Sequence, residues 1–163
     1  YQLDPTLFED RHYADRMTLY YTGVTRLAKN ILGEVVARVN QRDPAFLFTH
    51  HCIRSLAKHA RTAVALRDYG GLTTVVRSSW QENRLLHAST ANEEIDALLT
   101  LHARHYRAVK LLGAGGGGYA LFLSDAVRDA ELLREALEAR PPNDRARVVD
   151  FSLNRTGLEV TVS

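Results

Sequence analysis

Five of the six residues from Gly113 to Gly118 are glycine, half of all the glycines in a chain of 163 residues. Each glycine held in one backbone conformation costs about 0.5–1 kcal/mol relative to alanine. A run this dense needs a physical reason: positive φ angles, or a neighbour too close for any Cβ. Its flanks narrow the choice, because Tyr106 to Leu112 before it and Tyr119 to Leu123 after it both read as strands. Gly113, Gly115 and Gly118 match G-x-G-x-x-G, but a dinucleotide fingerprint needs a helix directly after the last glycine. A P-loop needs Lys-Ser/Thr where Tyr119-Ala120 stand. Two readings remain. One is a strand–glycine loop–strand whose amides face an anion or another domain. The other is a flexible hairpin tip, although the serine, asparagine and aspartate usual in solvated tips are missing.

Composition excludes several classes. The length suits one domain with a sizeable core, and a formal charge of +2 argues against nucleic acid as the main partner. A single cysteine, Cys52, forbids an internal disulfide and suits a reducing, cytoplasmic compartment. No apolar run approaches the ~18 residues that span a membrane, and no signal-peptide pattern opens the chain. The first residue is Tyr1 rather than methionine, as expected of a piece of something longer.

Residues 1–11 show no clear period and read as an arm or linker before a domain over 12–163. Alternation of Met17, Leu19 and Tyr21 predicts a strand that Gly23 ends. A helix is expected from about Thr25 to Asn40, with Leu27, Ile31, Val35 and Val39 in its apolar stripe. Pro44 opens the next helix, whose outer face (His51, Arg54, Lys58, His59, Arg61) suits an acidic partner or plain solvent. Gly70-Gly71 is expected to break that helix before a third bearing Leu72, Val76 and Trp80. Thr90-Ala91-Asn92-Glu93 has the spacing of a capping box for a fourth, with Ile95, Leu98, Leu99 and His102 inward. After the glycine loop and its second strand, Ser124 or Asp125 is expected to cap a helix that Pro141-Pro142 stops. Alternating Val149, Phe151 and Leu153, then Leu158, Val160 and Val162, predict a final hairpin. Helices in a block and strands joined by short links favour α+β, an antiparallel sheet with helices covering one face.

A second chemical feature is Tyr20 to Lys29, where a strand ends, glycine turns the chain, and Arg26 opens a helix. A cation is disfavoured at a helix N-terminus. Its presence beside hydroxyls suggests an anionic or polyhydroxylated ligand, or else an arginine turned back to solvent. The histidines have no metal-ligand spacing, no G-x-S-x-G elbow is present, and no catalytic or metal-binding residue is assigned. Trp80 is explained by a helix core, while Asn83 and Arg84 could reach a pocket.

Taken together, Tyr21-Thr22-Gly23-Val24-Thr25-Arg26 and Leu111-Leu112-Gly113-Ala114-Gly115-Gly116-Gly117-Gly118 resemble the C-terminal half of a GHMP-superfamily sugar kinase. The subgroup they most resemble is L-fucose kinase, with heptose-phosphate kinases next. Trp80 to Leu86 and Ala146 to Phe151 are similar to that subgroup too, so the resemblance covers about Arg16 to Ser163. It implies a ferredoxin-like C-terminal domain and transfer of the γ-phosphoryl group of ATP, with Mg2+, to a sugar hydroxyl. Thr22, Gly23 and Arg26 would line the acceptor sugar, and the loop of Gly113, Gly115, Gly116, Gly117 and Gly118 would face the phosphate-binding half. The family's phosphate loop and catalytic acid lie in an N-terminal half with no counterpart in this sequence. The expectation is therefore half of a kinase, inactive alone and completed by a missing N-terminal half. The alternative is a free-standing, non-catalytic binding or regulatory module of the same fold.

Overall fold

The computed structural model describes residues 4–24, 28–86, 90, 92–113 and 115–154. Two short helical turns, α1 (Thr6–Glu9) and α2 (Arg11–Ala14), lead into strand β1 (Met17–Tyr21). Helices α3 (Ala28–Asn40), α4 (Pro44–Ala65), α5 (Tyr69–Leu86) and α6 (Glu93–Leu101) follow, then a 3-10 turn at Ala103–His105. Strands β2 (Ala108–Leu111) and β3 (Tyr119–Leu123) flank the glycine loop, and α7 (Val127–Ala139) and β4 (Arg147–Val149) complete the described fold. The sheet runs β2-β3-β1-β4, with antiparallel pairing at each join. This is the α+β architecture expected from the sequence.

Side chains alternate across a strand, so each strand feeds two faces. Tyr20, Ala120, Phe122, Val109 and Leu111 pack with Trp80 of α5, Ile95, Leu98 and Leu99 of α6, and Leu133 and Leu137 of α7. Met17, Leu123 and Ala108 join Ala63 and Val64 of α4 and Tyr69 and Leu72 of α5 in a second cluster. Burying each large apolar side chain contributes about 1.5–3 kcal/mol, and Phe122 is wholly buried with its ring edge-on to Tyr106 at 5.1 Å. Arg134 of α7 donates to the carbonyls of Asp15 (2.9 Å) and Met17 (2.8 Å), fixing that helix to the start of β1.

Several local expectations are corrected. The segment read as an arm over 1–11 carries α1, and Leu7 is fully buried in the second cluster. Four residues are too few to show a helical period, so sequence alone had no signal there. The break between α4 and α5 lies at Arg67, held at φ 56°, while Gly70 and Gly71 sit in the first turn of α5. Gly71 is small because the Asp68 carboxylate accepts from its amide at 2.8 Å. Helix α6 is capped by Asn92, which accepts from Ile95 N at 2.9 Å, and not by Thr90. No side chain caps α7; Ser124 is buried and donates to His105 O at 2.8 Å instead. Strand β4 ends at Val149, before Phe151 and Leu153, and the expected last strand at Leu158 to Val162 lies outside the described residues.

Candidate functional site

The sheet ends at the pair Tyr21↔Tyr119, and the two sequence motifs continue past it together. Thr22 is wholly buried, and both its amide (2.8 Å) and its hydroxyl (3.0 Å) donate to Gly118 O, 96 residues away. Gly118 N donates in return to Val24 O at 2.8 Å. These bonds extend the β1–β3 pairing beyond the strands and knit the Thr22-Gly23 turn to the end of the glycine loop. Gly23 turns the chain at φ +72°, which only glycine adopts without strain.

Within the loop, both reasons for glycine operate. Gly113, Gly115, Gly116, Gly117 and Gly118 all have positive φ. A Cβ on Gly115 would lie 2.8 Å from the Thr90 carbonyl oxygen, and one on Gly117 2.9 Å from the Val24 carbonyl carbon. Gly113 and Gly118 have open space instead and need glycine for φ alone. Gly116 N donates to Thr90 O at 2.7 Å, while Asn92, which caps α6, sends its amide toward Gly116 O at 3.4 Å. The loop is thus tied to the chain on both sides and is no free hairpin tip. The partners too close for a Cβ are this chain's own backbone, and the Gly116 and Gly118 amides face inward to carbonyls.

Thr22 and Gly23 therefore meet the five loop glycines at one end of the sheet. Arg26, the third acceptor-side candidate, lies outside the described residues. Two asparagines escaped sequence reasoning. Asn143 donates from Nδ2 to Thr22 O at 2.9 Å, and Asn92 was visible only as a member of a capping motif. The signal for Asn143 was faint: an asparagine after Pro141-Pro142 marks a turn, with nothing to say which distant carbonyl it meets.

Beside this end, Tyr21 and Tyr119 pair at 5.2 Å between ring centroids, and the Arg147 guanidinium lies 5.2 Å from the Tyr21 ring. Lys110 of β2 is half-buried, and desolvation lowers its pKa. With the Asn83 amide turned so that its oxygen faces Lys110, the ammonium donates to that oxygen and the amide nitrogen donates to Ser79 O at 3.2 Å. Arg84 pairs with Asp96 at 2.6 Å, so both polar residues near Trp80 are held by protein partners. Burial pushes the Tyr20 phenol up to about 12. His102 and His105 lie toward the opposite end of the sheet, by Ser124. Among the described residues no group of three His, Cys, Asp or Glu side chains could hold a metal ion.

No protein-family model matches the chain. Over 157 residues it is 31% identical to the L-fucokinase/L-fucose-1-P guanylyltransferase of Bacteroides fragilis, a match covering 96% of this chain. It is 26% identical over 146 residues to the D-glycero-alpha-D-manno-heptose 7-phosphate kinase of Campylobacter jejuni, covering 88% of this chain. Its structure resembles that of L. major mevalonate kinase in complex with R-mevalonate, with TM-score 0.68, 18% identity and 81% of this chain covered. Its relatives and its fold are those of the GHMP sugar kinases. The chain spans 16% of the Bacteroides protein, 41% of the Campylobacter kinase and 40% of the mevalonate kinase chain. Within this GHMP-type fold, the two motifs read from sequence are the two loops that meet beyond Tyr21 and Tyr119. No helix among the described residues is long and apolar enough to cross a membrane.

Proposed function

We propose that this chain is the C-terminal domain of an ATP-dependent sugar kinase of the fucokinase kind, supplying the acceptor-sugar side of a shared active site. The supporting observation is the hydrogen-bonded union of the Thr22-Gly23 turn with the glycine loop. Phosphoryl transfer depends on positioning and charge neutralisation more than on covalent help from the protein. A rigid turn bearing Thr22 and Gly23, with Arg26 following, is suited to orient a sugar. The glycine loop, from Gly113 to Gly118, is assigned to the side facing the nucleotide-binding half, where its lack of side chains permits close approach.

Among the described residues no group of three His, Cys, Asp or Glu side chains could hold a metal ion, and the Gly116 and Gly118 amides are bound to internal carbonyls. The phosphate loop, the metal ligands and the catalytic acid are accordingly assigned to the N-terminal half, and no step through ATP or Mg2+ is derived from this chain. On this reading the 163-residue chain is inactive alone.

The test measures ADP release by the complete kinase and by this chain alone, with ATP, Mg2+ and a panel including L-fucose and the heptose 7-phosphate. Sugar-dependent release by the complete protein and none by the chain is expected. Release by the chain alone would overturn the half-enzyme reading, and no release by either would favour a non-catalytic module. Gly116→Ala in the complete kinase tests the loop: a rate loss of roughly tenfold or more, about 1.4 kcal/mol, is expected. Unchanged kcat/KM would remove the loop from the site.

A further inference from the structure

We infer that Asn143 is a positioning residue for the acceptor turn, acting through its side-chain amide on the backbone of Thr22 and Gly23. The inference rests on the proposed reading of that turn as the sugar-facing one. Asn143 lies in the link between α7 and β4, far from the turn in sequence, and its two amide atoms have separate tasks. The oxygen accepts from Arg145 N and Ala146 N, each at 3.1 Å, and so closes the local turn. The nitrogen donates to Thr22 O at 2.9 Å. The same amide fills the space beside Gly23, where a Cβ would lie 2.6 Å from Asn143 Cγ.

The geometry goes beyond a turn-forming asparagine. A turn of this kind needs only the side-chain oxygen, which aspartate or serine can supply. The donor at the other side-chain atom adds nothing to the local turn, yet it satisfies the carbonyl of a fully buried residue. Thr22 is then held from both sides. Gly118 O takes its amide and hydroxyl protons, and Asn143 takes its carbonyl. Gly23 sits at φ +72° with the Asn143 amide packed against it. A group that orients substrate must be fixed to within about 0.5 Å by its supporting shell, and Asn143 completes that shell on the side the glycine loop does not reach.

Asn143→Asp separates the two tasks, because the carboxylate still accepts from Arg145 N and Ala146 N but cannot donate to Thr22 O. In the complete kinase, with L-fucose and the heptose 7-phosphate as acceptors, kcat/KM for the sugar should fall about tenfold or more. The loss should fall on the sugar KM, with the KM for ATP within about twofold. Asn143→Ala, lacking both functions, should additionally lower the melting temperature. Equal rises in both KM values, or an unchanged sugar KM, would overturn the positioning role. Amide exchange reads the clamp without turnover: in Asn143→Asp, residues 22–24 should exchange about tenfold faster while β2 and β3 keep their protection. Unchanged exchange at 22–24 would overturn the clamp itself. A complete kinase that phosphorylates neither sugar counts against the proposed function instead, and faster exchange would then establish the clamp alone.

Discussion

The loop glycines are not equivalent, and the difference is measurable. Gly113 sits at φ +82° with open space around its missing Cβ, so alanine there costs only the left-handed penalty, about 1–2 kcal/mol. Gly117 at φ +152° also abuts the Val24 carbonyl, and alanine must displace backbone. Gly117→Ala is expected to lower stability by about 3 kcal/mol or more, clearly beyond Gly113→Ala in urea unfolding. Equal losses would show that contact with Val24 does not fix the residue. The need for glycine was legible in the sequence; the neighbours were not, because the partners of Gly115 and Gly117 are carbonyls, which every residue type carries. Titration makes a second residue-scale test. Burial, then His105 and Arg104, holds the His102 pKa below its ordinary value of 6.5. A depressed pKa means that the unfolded chain takes up the proton first. Stability is therefore full above pH 6.5 and declines as pH falls from there to the folded pKa. The melting temperature should drop between pH 7 and pH 5, and drop less in His102→Gln; parallel curves would exclude His102 as the cause.

At the scale of elements, the helical links carry strain that a substitution can relieve. Arg42, between α3 and α4, has φ 53°, a conformation glycine adopts freely and other residues adopt at a cost. Arg42→Gly should raise the melting temperature by about 2–4 °C for a chain of this size. Arg67 at φ 56° should gain less, since its guanidinium also holds Asp4 at 2.8 Å. An Arg42→Gly protein melting below the parent would show that the arginine side chain matters more than its backbone. Elements with a strong period were readable: β1 from the alternation of Met17, Leu19 and Tyr21, β3 from its five-residue apolar run, and α4 from Pro44 at its first turn. Asp43 caps that helix by accepting from Ala45 and Phe46 amides at 3.1 and 3.2 Å. The capping box failed for a tertiary reason: the Thr90 carbonyl is engaged by Gly116, and Asn92, two residues on, takes the cap.

For the whole molecule, apolar residues flank the glycine loop at its mouth: Leu112 is 42% exposed and Tyr119 41%. If the N-terminal half docks there, Leu112→Ser should leave the isolated chain within about 1 kcal/mol of the parent and cost the complete kinase more. Equal losses in the two would place the docking surface elsewhere. The strand order has a consequence of its own, in time rather than space. Met17 pairs with Leu123, and Leu19 with Val149. Within this chain β1 is made before its partners, which leave the ribosome roughly a hundred residues later, a delay of about 5–20 s at ordinary synthesis rates. Helices α4 and α5, being neighbours in sequence, can pair on their own far sooner. Pulse-labelled exchange during refolding should find them protected before β1, and simultaneous protection would refute that order. β1 therefore waits unpaired while the helices between it and its partners are made, and the turn at Thr22 lacks its hydrogen-bond partner until Gly118 arrives.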